Sequence, residues 1–174
     1  MTTFLQKQKS VLLTFLTGLI LICILIAIPT GYEDALIYKG TERAVGCVTE
    51  TDNSSIITSG IMVDEALKAY EALQAEGISV RVIDMFTWKP LDEELVIKAA
   101  KETGAIVTAE NHNVTCGLGS VVANCLAKNC PTVQEFVGVQ DQFGEVGPQS
   151  YLMDRFGLRA ANIVEAVKKA IARK

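Results

Sequence analysis

From Ser55 onward the apolar positions switch repeatedly between strand-like runs and helix-spaced stripes. Ser55–Thr58 is a short β-type run closed by Ser59 and Gly60. Within Met62–Glu76, Val63, Ala66, Leu67, Tyr70 and Leu73 fall on one face of a 3.6-residue period, which predicts an amphipathic helix capped near Gly77. Ile78–Asp84 reads as a second strand, and Lys89-Pro90 forces a turn. Asp92 suits a helix N-cap, with Glu93 and Glu94 in the first turn where the helix dipole favours them. That helix, Glu93–Thr103, ends at Gly104. Ala105–Ala109 and Thr132–Val139 read as strands, and Ser120–Lys128, Ser150–Phe156 and Ile163–Ala172 as helices. Strands alternating with helices of this length predict an α/β domain over 55–174, with a mostly parallel, mixed sheet covered by helices on both faces.

The amino-terminal stretch follows no such alternation. No charged residue occurs from Ser10 to Tyr32, and Val11–Ile28 is almost wholly apolar. As a helix that run reaches roughly 27 Å, close to the hydrocarbon thickness of a bilayer. Residues 1–30 are therefore expected to form one hydrophobic helix that anchors the chain in a membrane. Lys7 and Lys9 precede it, while Glu33 and Asp34 follow, which would keep the amino terminus in the cytoplasm. A secretory signal peptide competes, but its apolar region should be shorter, and Leu25-Ile26-Ala27 makes a poor cleavage site. A start-site or gene-fusion artefact is the third account, with a cytoplasmic location if the segment is not genuine. Pro29-Thr30-Gly31 and the polar cluster Thr49–Ser55 make 31–54 a linker, in which Ala35–Tyr38 is either a short strand or an apolar patch.

Composition narrows the function. The 174 residues are 49% hydrophobic with a net charge of −4, and no basic run tracks a phosphate backbone, so no nucleic-acid partner is expected. The five cysteines, Cys23, Cys47, Cys116, Cys125 and Cys130, include no C-x-x-C pair, which argues against a zinc site or a disulfide framework.

The chemistry-bearing segment is Glu110–Ser120, a glycine-rich loop between a strand and a helix that contains the single histidine, His112. Loops at such sheet edges meet ligands and partners in open α/β folds. Glu110, His112, Gly117, Gly119 and Asp141 are the candidate ligand or partner residues. In one reading Glu110 and His112 point outward while the Gly117–Gly119 amides offer an anion site. In the other they satisfy the loop itself, and the glycines allow close helix–sheet packing. Cys116 near His112 is better explained as a small semi-buried thiol than as a nucleophile. Phe143 is expected to fill the core or a subunit interface, and Phe86 and Trp88 either anchor a protein contact or fill the core.

An ordered set of motifs resembles the carboxy-terminal domain of transketolases. It comprises Thr58-Ser59-Gly60-Ile61-Met62-Val63, Gly77–Met85, Lys89–Glu94, Thr108–His112, Gly117–Ser120 and Asp141–Glu145, spread over roughly residues 36–174. The chain looks most like the short, split transketolases of prokaryotes. It is more loosely similar to deoxyxylulose phosphate synthases and the β-subunits of 2-oxoacid dehydrogenases. Two positions depart from the family pattern: Cys116 stands where a glycine is usual, and Val146 where the Phe-Gly-x-Ser-Gly stretch has its serine.

The resemblance implies a transferase that moves two-carbon ketol units between sugar phosphates with thiamine diphosphate and a divalent metal. Both would be held by partner domains, since no Gly-Asp-Gly motif occurs here and the segment before Leu36 is too short for a pyrimidine-binding domain. No catalytic, cofactor or metal residue is assigned to this chain. It is expected to be inactive alone, to hold a homo-oligomer together or dock on a thiamine-binding subunit, and to touch a membrane through residues 11–28. A membrane-anchored interaction module without catalysis is the alternative, and a small α/β protein holding an anion is a third.

Overall fold

The computed structural model describes residues 52–174, together with the backbone of residues 37–39 and 42–45. The expected hydrophobic helix of residues 1–30 and most of the expected linker 31–54 lie outside the described residues. Among the described residues no helix is long and apolar enough to cross a membrane.

Six strands form one sheet: β1 Ile37–Lys39, β2 Glu42–Val45, β3 Ser54–Thr58, β4 Val80–Asp84, β5 Ala105–Asn113 and β6 Val133–Val139, in the order β1-β2-β4-β3-β5-β6. β4, β3, β5 and β6 run parallel, while β1 and β2 add an antiparallel margin. The sheet is thus mixed and mostly parallel, as the alternation predicted. Among the described residues the helices, in chain order, are α1 Met62–Ala75, α2 Glu93–Thr103, α3 Leu118–Asn129, α4 Gln149–Arg155 and α5 Ala160–Ala172.

Successive strand residues point to opposite faces, and the sequence loads both. Ile56, Val82 and Val107 pack beneath α1 and α5 against Ala66, Leu73, Ile163 and Val167. Their neighbours Ile57, Ile83 and Ile106 pack beneath α2 and α3 against Val96, Ala99, Leu118 and Val122. Each fully buried Val, Leu or Ile among them contributes about 1.5–3 kcal/mol of transfer free energy.

Local signals set several helix ends. Asp92 accepts a hydrogen bond from the Leu95 amide at 2.9 Å, which starts α2, and Gly104 closes it in the left-handed region at φ 66°. α5 begins at Ala160, three residues before the apolar period does: the Asn162 side chain accepts the Arg159 amide at 3.2 Å, and Glu65 on α1 accepts the Ala160 amide at 2.7 Å. β5 outlasts its apolar run by four residues, since Asn113 pairs with Val139 past a register irregularity. At the opposite edge Arg81, 3% exposed, bonds Asp52 at 3.0 Å and also Glu102.

Candidate functional site

All four parallel strands end on the same edge, so the loops after them share one surface. The loop after β3 leads to α1 on one face, and the loop after β5 leads to α3 on the other. That divergence between adjacent strands is the position at which open α/β sheets form their ligand crevice. Met85 donates its amide to Thr58 O at 2.7 Å, and the Thr58 hydroxyl donates to Ala109 O at 2.9 Å, so the ends of β3, β4 and β5 are tied together.

Glu110 lies at this edge and is 1% exposed. Its carboxylate accepts the Leu118 amide at 2.7 Å and the Gly119 amide at 2.9 Å. These are first-turn donors of α3, which has no cap from its own N-cap residue, Gly117. A side chain from β5 therefore fills the place an exogenous anion would take. Burial pushes the Glu110 carboxyl up from its ordinary value, and the Gly119 and Leu118 amides and nearby His112 pull it part of the way back.

The other four candidates divide in two. Gly117 and Gly119 pack directly around this carboxylate and the sheet: a Cβ on Gly117 would fall inside the Glu110 carboxylate, and one on Gly119 would lie 2.6 Å from the Phe136 ring. Gly138, which the sequence did not single out, completes the slot, because a Cβ there would lie 3.1 Å from Glu110 Cγ. His112 points elsewhere. Its ring meets Trp88 edge to face at 6.4 Å between centroids, and its Nδ1 lies 3.0 Å from Asn113 O, so Nδ1 carries the proton. Asp141, at φ 49°, accepts from Asn113 Nδ2 at 3.2 Å, which joins the loop after β6 to the loop after β5.

Cys116 is exposed and sits at φ 70°, a conformation that suits the glycine usual there and strains a residue with a Cβ. Its amide donates to the Ser120 hydroxyl at 2.9 Å, which itself donates to Val114 O. Trp88 is half-buried against the α2–α3 core, whereas Phe86 is exposed. Phe143 is 99% exposed, so of the two expected roles core filling is excluded.

The start of α3 does not offer its first-turn amides to a diphosphate. The Leu118 and Gly119 amides there are taken by Glu110. No group of three or more His, Cys, Asp or Glu among the described residues could hold a metal ion.

Comparisons with known proteins agree with this fold. Residues 45–163 match the family described as transketolase, C-terminal domain. The chain is 50% identical over 125 residues to the 6-deoxy-6-sulfo-D-fructose transketolase subunit SqwH of Clostridium sp. (strain MSTE9), covering 72% of this chain and 39% of that protein. It is 39% identical over 149 residues to 1-deoxy-D-xylulose-5-phosphate synthase 1 of Geobacter sulfurreducens, covering 84% of this chain and 23% of that one. A solved structure, "Split gene transketolase, inactive beta4 tetramer", superposes with a TM-score of 0.70 at 44% identity, over 78% of this chain and 44% of that chain. The chain thus spans less than half the length of these relatives.

Proposed function

The chain belongs to the transketolase C-terminal domain family, and from that premise we propose that it is the C-terminal subunit of a split, thiamine diphosphate-dependent ketol transferase. It serves assembly, binds no thiamine diphosphate or metal itself, and is inactive until thiamine-binding domains join it. The observation that carries this reading is the Glu110 carboxylate on the Leu118 and Gly119 amides. At the crevice the start of α3 is satisfied by the domain's own Glu110, which supports a scaffolding role with the coenzyme left to other domains. Likeness to a protein named as a transketolase subunit and to a split-gene transketolase supports the subunit role.

Ketol transfer by the purified full chain, with and without co-expressed thiamine-binding subunits, tests the proposal. Fructose 6-phosphate and 6-deoxy-6-sulfo-D-fructose serve as parallel donors. The chain alone should be inactive and should raise the partner's rate. Tight thiamine diphosphate binding by the chain alone, or no gain over the partner alone, overturns the reading.

A second reading, a membrane-tethered interaction module with no catalytic assembly to join, draws on the apolar run Val11–Ile28. Under it, pull-down from detergent extracts recovers partners that have no thiamine-binding motif.

A further inference from the structure

We propose that the groove between β6 and α5 is a binding site for an uncharged monosaccharide, whose hydroxyls are held by Gln140, Asn162 and Glu165. The inference goes beyond the assembly role and does not depend on it.

The groove has a volume of about 300 Å³. A cavity of roughly 150 Å³ accepts benzene, so a six-membered sugar ring with its hydroxyls has room. Val137, Phe156 and Ala166 give the groove an apolar side, and all three pack on the core cluster, so that side is set before a ligand arrives. It suits the C–H groups that a sugar carries between its hydroxyls. α5 places Asn162, Glu165, Ala166 and Lys169 at the i, i+3, i+4 and i+7 positions of one stripe, which forms a wall of the groove.

Three polar side chains of the groove keep bonding capacity in reserve. Gln140 donates from Nε2 to Gly138 O at 3.2 Å, which orients its amide and leaves Oε1 as an acceptor. Asn162 accepts the Arg159 amide on Oδ1 at 3.2 Å, which orients it likewise and leaves Nδ2 as a donor. Glu165 makes no hydrogen bond or ion pair with the described residues, so both its oxygens accept. The groove therefore offers one donor group and two acceptor groups.

That mixture selects the ligand class. An ammonium only donates and leaves Asn162 unanswered. A phosphate or carboxylate only accepts and sets its lone pairs against those of Gln140 and Glu165. A hydroxyl does both, and several hydroxyls fixed on one ring match the whole set. Charge points the same way. Glu135 is taken by Lys169 at 2.8 Å and by Arg173, and with Glu165 these four groups cancel, so the groove carries no bias toward a charged ligand.

Two-dimensional NMR of the full chain, in a detergent without a sugar headgroup, tests the site with D-fructose, D-glucose and D-xylose as probes. At least one should shift the backbone amide signals of Gly138 and Ala166 saturably, with a dissociation constant on the order of 1 mM. Asn162→Asp keeps the oxygen that caps α5 and replaces the Nδ2 donor with an acceptor. It should weaken binding at least about tenfold and leave the thermal melt unchanged. Glu165→Ala, at an exposed helix position, should do the same. Fructose 6-phosphate should bind no tighter than fructose. Absence of a saturable shift with all three sugars overturns the proposal. So do shifts indifferent to both substitutions, or saturation by fructose 6-phosphate or inorganic phosphate with the neutral sugars silent.

Discussion

Glu110 and Gly117 occupy adjoining space that admits only one side chain. Gly117 has φ −93° and ψ −161°, which any residue can adopt, so its identity is dictated by the carboxylate beside it. Gly117→Ala should therefore displace Glu110 from the α3 amides. Overpacking and a stranded carboxylate together should cost on the order of 3 kcal/mol, read by urea denaturation. A loss under about 1 kcal/mol would show that the carboxylate moves aside freely.

The same carboxylate gives a pH signature. Burial raises the folded-state value of Glu110 above 4.5, so the folded chain holds this proton more tightly than the unfolded one. Its contribution to stability is greatest in acid and is lost as pH rises through the folded value. Glu110→Gln cannot titrate. The unaltered chain should gain on that variant as paired denaturation curves move from about pH 8 to about pH 5. A gap that narrows toward acid contradicts the burial-dominated environment.

Glu135 shows the opposite sign. Burial pushes its carboxyl up, but bonds from Lys169 and Arg173 outweigh that and hold it below 4.5. Its stabilisation of the β6–α5 contact is present above the ordinary carboxylate range and lost as pH falls through the depressed value. Glu135→Gln should therefore remove the part of the acid sensitivity that lies below pH 4.5, measured as the acid midpoint of the fluorescence transition.

Cys116→Gly should stabilise the domain by a few tenths to about 1 kcal/mol. Relief of the positive φ exceeds the extra chain entropy of glycine, and the exposed thiol gives up little contact. Thermal melting decides, and a lower melting temperature would mean that the thiol packs usefully.

Residues 1–30 yield a prediction from sequence alone. The full chain should pellet with membranes and resist carbonate extraction, and deletion of residues 1–30 should release it with its circular dichroism spectrum intact. A full chain found in the soluble fraction removes the anchor.

Local chemistry was legible in advance wherever it was self-contained. Asp92 caps α2 and Gly104 closes it because the partners lie within four residues. Glu110 was recognisable as special, but its target was not, since the loop that brings Leu118 and Gly119 back to it shows no periodicity. The true start of α5 was only half hidden: Glu65 caps it from 95 residues away, but Asn162, three residues from Arg159, also caps it locally. Phe143 could not be assigned between core and interface, because an apolar residue reads the same in both until its exposure is known.

The bond from Glu65 to Ala160 joins the first helix of the domain to the last, and Leu73 and Ala66 lie in the same core cluster as Ile163 and Val167. During synthesis one greasy flank of the nascent polypeptide therefore stays uncovered until its final helix emerges. Chaperone capture should concentrate in that interval, and premature termination before Ala160 should yield a sticky product instead of a smaller folded one.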